Sequence, residues 1–203
     1  MSGDAFAQPE IALIERQALS GTEIGSPLPA SHWLRLALVN VEGSGWTRER
    51  ALDALREAAR ILGQCGVSVD RAEWIVLSAP PRYLDFSTPA ARELARYHRV
   101  ARPAIYLVRD TRNRPAFDAE AIGRGNSRSR PELADTVWMT VATRDAGPAL
   151  AHELAHVLMD SGEHSDDPGN LMREQTTPGN TILSAAQCAR LLDTGSANGL
   201  LAQ

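Results

Sequence analysis

Apolar residues along this chain alternate between short runs of strand length and stretches that recur at helical spacing, a pattern that predicts an α+β fold. Trp33-Leu34-Arg35-Leu36-Ala37-Leu38-Val39-Asn40-Val41 reads as a central strand. Thr47 then caps a helix in which Ala51, Leu52, Leu55, Ala58, Ala59 and Leu62 return every three or four residues, with Glu49 in the first turn and an end near Gly63. A second strand follows around 67–69 or 74–77. Strand, long helix, strand is a right-handed crossover, so the sheet begins parallel.

Residues 78–88, with Pro80-Pro81, read as loop, and Ser87 or Thr88 with Pro89 starts a short helix reaching about His98. Ala104-Ile105-Tyr106-Leu107-Val108 is the third strand. Residues 109–135 carry little periodicity apart from a short edge strand at 119–122, and so long an irregular stretch inside a compact domain points to function. Residues 136–141 form the strand that feeds a helix with Pro148 in its first turn and Asp145 or Thr143 as cap. Ser184 opens a last helix, with Gln187 at the capping-box position and Leu183, Leu191 and Leu192 as apolar contacts, to about Asp193. The tail from Gly195 reads as loose. Residues 1–31, rich in Gly, Pro, Ser and Ala, read as a flexible arm with one helical turn near Ile11 to Leu19, leaving 32–203 as a single domain. The expected architecture is a twisted, mostly parallel sheet of four to five strands with an antiparallel edge strand, backed by helices.

Composition narrows the chemistry. The 203 residues are 43% apolar, enough for one core, and the net charge of -4 argues against phosphate-driven nucleic-acid binding. All 21 basic residues are arginine, which excludes a P-loop, Schiff-base or general-base lysine. The arginine-rich third from Arg92 to Arg130 reads mainly as solvated surface, with binding of acidic partners as the other reading. No stretch approaches the roughly 20 apolar residues of a membrane span, and the first thirty residues lack the apolar run of a signal peptide. Cys65 and Cys188 form one bridge or remain two thiols; a bridge would favour an extracytoplasmic setting, and the compartment is otherwise open.

The candidate chemistry lies in Ala151-His152-Glu153-Leu154-Ala155-His156-Val157-Leu158-Met159-Asp160-Ser161-Gly162-Glu163-His164. H-E-x-x-H on a helix puts His152 and His156 one turn apart on one face, with Leu150, Leu154, Val157 and Leu158 on the other. A catalytic zinc takes three protein ligands and keeps one position open. His164, just past Gly162, which can reverse the chain, is the third candidate; Glu174, or one of Asp160, Asp166 and Asp167, are the alternatives. Glu153 has no place in a closed structural site, so its presence favours catalysis by a zinc-bound water with Glu153 as general base.

Over residues 152–172, ending in His164-Ser165-Asp166-Asp167-Pro168-Gly169-Asn170-Leu171-Met172, the sequence resembles the metzincin clan of zinc peptidases, with a matrixin-like flavour. It departs from the clan pattern in having seven residues rather than five between His156 and His164. Gly162 lies two rather than three positions before His164, Met159 stands where the pattern has glycine, and no tyrosine follows Met172. The resemblance implies a zincin-like fold with a Met-turn, one catalytic zinc on His152, His156 and His164, and Met172 as an apolar floor beneath them. It also implies endopeptidase activity on peptide or protein substrates, lying extended along the edge strand near Ile122 and Gly123. The competing class is a zinc-containing peptide-binding or sensing protein without turnover. The acidic group Asp160, Glu163, Asp166 and Asp167 is compatible with calcium as well as with solvated turn carboxylates. Nothing in the chain speaks to oligomeric state.

Overall fold

The apolar run expected to be the central strand is one: His32–Val41 (β2) is hydrogen-bonded along both edges, and it carries apolar residues on both faces because both faces of the sheet are covered. Leu34, Leu36 and Leu38 feed one core, whereas Ala37, Val39 and Val41 feed another on the opposite face, following the two-residue period of a strand. Each of these fully buried leucines contributes about 1.5–3 kcal/mol relative to exposure. The structure, a computed structural model, describes residues 10–25, 29–97 and 99–203. The expected arm lies partly outside the described residues, as does His98 at the expected end of the short helix.

The remaining elements, in chain order, are β1 (Ala12–Leu19), α1 (Gly21–Ile24), α2 (Arg48–Leu62), β3 (Val67–Ser78), β4 (Asp85–Phe86), α3 (Thr88–Tyr97), β5 (Ala104–Val108), β6 (Asp110–Thr111), β7 (Ala119–Ile122), β8 (Thr136–Thr140), α4 (Ala146–Met159), α5 (Ala185–Ala197) and β9 (Leu201–Ala202). The main sheet runs β1-β3-β2-β5-β8-β7, with β9 beside the start of β2. Its four inner strands are parallel, and β1 and β7 close the two edges antiparallel. Helices α2, α4 and α5 cover one face of the sheet, and α3 with the loops around Tyr83 and Phe86 covers the other. This is the expected α+β architecture with more strands.

Three expectations need correction. Residues 12–19 form strand β1, not a helical turn in a loose arm, and pair with β3 from Ser78 to Ala72. Nearly all of its side chains face solvent, so it carries no hydrophobic period; the backbone ladder and the Arg16–Glu73 ion pair (2.8 Å) hold it. The tail is docked as well, since α5 continues to Ala197 and β9 pairs with Trp33 and Leu34. The two alternatives for the second strand are one strand, β3, carried past an irregularity in its register with β2.

The arginine-rich third is largely structural. Arg92 and Arg96 meet Glu132, Arg109 and Arg112 meet Asp85, and Arg124 meets Asp135, with each carboxylate mostly buried. These pairs lock the irregular stretch 109–135 to α3 and β4 and brace it within itself.

Helices α2 and α4 approach closely at Gly147, where an added Cβ would stand 2.6 Å from the Cβ of Glu57. Gly147→Ala is expected to destabilise the fold by about 1–3 kcal/mol through overpacking, outweighing the roughly 1 kcal/mol gained in helix propensity. A urea unfolding midpoint at or above that of the parent protein would contradict this contact.

Candidate functional site

Helix α4 is the most enclosed of the described helices, because α2, α5, β7 and β8 all pack against it. Every residue from Gly147 to Met159 is buried, including the face that carries the polar side chains. His152, Glu153 and His156 are exposed by only 3%, 8% and 9%. The sequence implied a helix with one face packed and the other on a cleft, and His152, Glu153 and His156 do line a cleft, although they are enclosed there by the edge of the sheet and the loop that follows the helix.

Burial of polar groups is stable only when they are partnered. The Nδ1 atom of His152 lies 2.7 Å from the carbonyl oxygen of Leu171, and Nδ1 of His156 lies 2.6 Å from that of Ser161. A carbonyl can only accept, so each Nδ1 carries its hydrogen and donates, which leaves a lone pair on each Nε2. Those two Nε2 atoms face each other 2.9 Å apart. Burial, and then the neighbouring His152, holds the His156 imidazole down at about 4, and burial lowers His152 too. Both rings are thus neutral at pH 7, the form in which imidazole binds a metal.

His164 completes the group. Its ring centroid lies 5.5 Å from that of His152 and 5.0 Å from that of His156. One ligand atom from each of the three residues falls within 4.8 Å of the others. Among the described residues this is the one set of His, Cys, Asp or Glu side chains that converges as a metal-holding group. Glu174 lines the same cleft outside that set, and Asp160, Asp166 and Asp167 do not join it. The acidic turn residues form no second group, so calcium gains no support. The donor set fits a metal ion: opposed, deprotonated imidazole nitrogens repel until a cation lies between them, and tetrahedral zinc spaces its ligand nitrogens by about 3.3 Å.

The chain reverses after the helix at Asp160, which adopts the left-handed conformation (φ 44°, ψ 51°), rather than at Gly162 as the sequence implied. The loop carrying His164 is pinned by the Ser165 N–H on the Met172 carbonyl (2.7 Å). Asn170 accepts from the Met172 N–H (2.8 Å) and exchanges hydrogen bonds with Gln187 at the start of α5. Leu171, whose carbonyl orients His152, and Met172 are both buried in the core beside α4. The sequence reading missed this support from Leu171, Ser161 and Asn170. Only Asn170 left a local signal, as an Asx turn two residues before Met172.

Glu153 is aimed at the edge of the sheet. Burial, and then the charge of Glu120, pushes its carboxyl up to about 8, opposed by a hydrogen bond from the Ala121 backbone. Strand β7 pairs with β8 on one side only, so its outward backbone groups face a cleft of about 1190 Å³. The three histidines, Glu153 and residues 113–121, 123, 125 and 126 line that cleft. The irregular stretch singled out in the sequence therefore forms one wall. Gly123 lies on that wall, whereas Ile122 is buried in the core on the α3 face and does not line the cleft. Cys65, after α2, and Cys188, in α5, form a disulfide, and among the described residues no helix is long and apolar enough to cross a membrane.

No family model matches this chain, and no curated protein matches it. Among solved structures it is similar to the crystal structure of metalloproteinase-II from Bacteroides fragilis, with a TM-score of 0.53 at 19% identity. The likeness covers 86% of this chain and 60% of that one, so the chain spans about three fifths of that protein's length. At this identity what is shared is the fold.

Proposed function

We propose that this chain is a zinc-dependent endopeptidase with His152, His156 and His164 as metal ligands and Glu153 as general base. The observation that carries the reading is the pair of buried imidazoles, each fixed by a backbone carbonyl so that their free nitrogens oppose each other beside a buried carboxyl. The fold shared with a bacterial metalloproteinase supports it. Zinc supplies a Lewis acid for a peptide carbonyl and lowers the pKa of a water toward neutrality.

The protein's own groups would do the rest. Glu153 takes the proton of the attacking water and returns it to the leaving amine. The outward backbone groups of β7 that Glu153 does not hold would pair with an extended peptide and set it alongside Glu153, giving affinity with little dependence on side chains. Gly123 would take part through its backbone, whereas the backbone groups of Ile122 are turned to Thr136 of β8. Met172 would serve as the apolar floor of a metzincin-type Met-turn. The disulfide accords with an extracytoplasmic setting.

Zinc stoichiometry tests the ligand set. His164→Ala is expected to lower zinc affinity by at least about tenfold, while Glu174→Ala leaves it unchanged. Full zinc binding by His164→Ala together with its loss in Glu174→Ala would reassign the third ligand. Cleavage of a broad peptide library, abolished by chelation and restored by zinc, tests the activity. A protein that binds zinc and peptide but cleaves nothing would instead belong to the sensing class.

A further inference from the structure

We propose that Asp160 is a positioning residue that fastens the peptide-facing segment Gly123–Gly125 to the end of the site helix; this rests on the peptidase reading above. Asp160 is one of two described non-glycine residues with a positive φ, and the conformation follows from its place at the end of α4. Its N–H closes the last turn onto the carbonyls of His156 and Val157. Glycine is the usual residue in this conformation, with asparagine next, so an aspartate here asks what the carboxylate contributes.

Its Oδ1 accepts the backbone N–H of Gly125 at 3.1 Å. The same oxygen lies 2.8 Å from where a Cβ on Gly123 would stand, so glycine at 123 is what allows the carboxylate to come in over the chain. Asp160, Gly123 and Gly125 all line the cleft, and Gly123 directly follows edge strand β7. The next residue, Ser161, gives its carbonyl to Nδ1 of His156 and its N–H to the His156 carbonyl. One short turn therefore orients a metal ligand through Ser161 and the end of the peptide-binding edge through Asp160. That turn lies in the spacer between His156 and His164, which is two residues longer than in the clan that the motif resembles.

Three variants separate the carboxylate from the turn. Asp160→Asn keeps tolerance of the left-handed conformation and an oxygen acceptor; Asp160→Gly keeps the conformation and loses the acceptor; Asp160→Ala loses both. Amide hydrogen exchange at Gly125, read in the metal-free and zinc-loaded protein, reports the fastening without any turnover. Asp160→Gly is expected to speed that exchange about tenfold and to raise KM for extended peptides about tenfold, with kcat and zinc affinity within about twofold. Asp160→Asn should stay within about twofold in all four readings, and Asp160→Ala should in addition lose thermal stability.

Unchanged Gly125 exchange in Asp160→Gly overturns the fastening. Faster exchange with an unchanged KM overturns its part in holding substrate, and equal damage from Asn and Gly overturns the role given to the Oδ1 acceptor. Wild-type protein that binds zinc but cleaves no peptide fails the peptidase reading alone, because the exchange rate still decides the fastening.

Discussion

Glu153→Gln is expected to bind zinc with the parent's stoichiometry and to lose peptide hydrolysis by about 10³-fold, within the range usual for loss of a general base. Glutamine matches the carboxylate in shape and can still accept the Ala121 N–H. It cannot take up a proton. Because the carboxyl in the metal-free protein is pushed up to about 8 by burial and by Glu120, it is mostly neutral at pH 7, and a neutral amide leaves the packing undisturbed. Hydrolysis by Glu153→Gln within tenfold of the parent would remove this residue from the mechanism.

The same shift sets the pH dependence of the metal-free fold. The folded state holds the Glu153 proton more tightly than the unfolded chain, whose carboxyl titrates at the ordinary 4.5. Its stabilising contribution is therefore complete below about pH 4.5 and is lost as pH rises through about 8. Metal-free Glu153→Gln, which has no proton to lose at this position, should overtake the parent in unfolding midpoint at pH 8 to 9. An unchanged difference between the two proteins from pH 5 to 9 would contradict the shift.

Removal of the Cys65–Cys188 bridge is expected to cost about 4–5 kcal/mol, because it closes a loop across 123 residues and so restricts the unfolded chain strongly. For a domain of this size that lowers the thermal midpoint by about 10–15 °C. The site should feel the loss too. Next to Cys65, Gln64 donates to the Thr181 carbonyl and accepts from the Leu183 N–H, and the Leu171 N–H donates to the Ile182 carbonyl. The bridge therefore backs the segment whose Leu171 carbonyl orients His152. The Cys65→Ser/Cys188→Ser protein, or the parent under reductant, should melt early and bind zinc more weakly. A midpoint within about 2 °C of the parent would mean that the unfolded chain is not restricted as the loop length implies.

Much of this architecture was legible from local pattern. Thr47, with its side chain on the Arg50 N–H, and Ser184 with Gln187, forming the expected capping box, start α2 and α5 where their residue types implied. Strands β5 and β8 fall on their apolar runs because both faces of each are buried. Strand β1 left no such trace, since pairing through the backbone alone asks little of its side chains. Strand β9, two residues long, is likewise a consequence of where α5 ends. Nor could the length of the Asp160 turn be read as anything but an irregularity, because its partner, Gly125, lies 35 residues away.

The sequence by itself determined the helix of His152, Glu153 and His156, the strand that feeds it, the edge strand beside it and the candidacy of His164. Spacing along a helix or strand places side chains within a few ångströms without reference to the rest of the molecule. Only the tertiary structure decided that the three imidazoles converge, that both Nδ1 atoms are held by carbonyls from the loop beyond the helix, and that the two cysteines bond. It also decided that Asp160, not Gly162, turns the chain. The carbonyl contacts depend on backbone groups that have no side-chain identity to read, and the convergence of the imidazoles and the disulfide depend on long-range packing, of the loop 160–172 against α4 and of α5 against the end of α2.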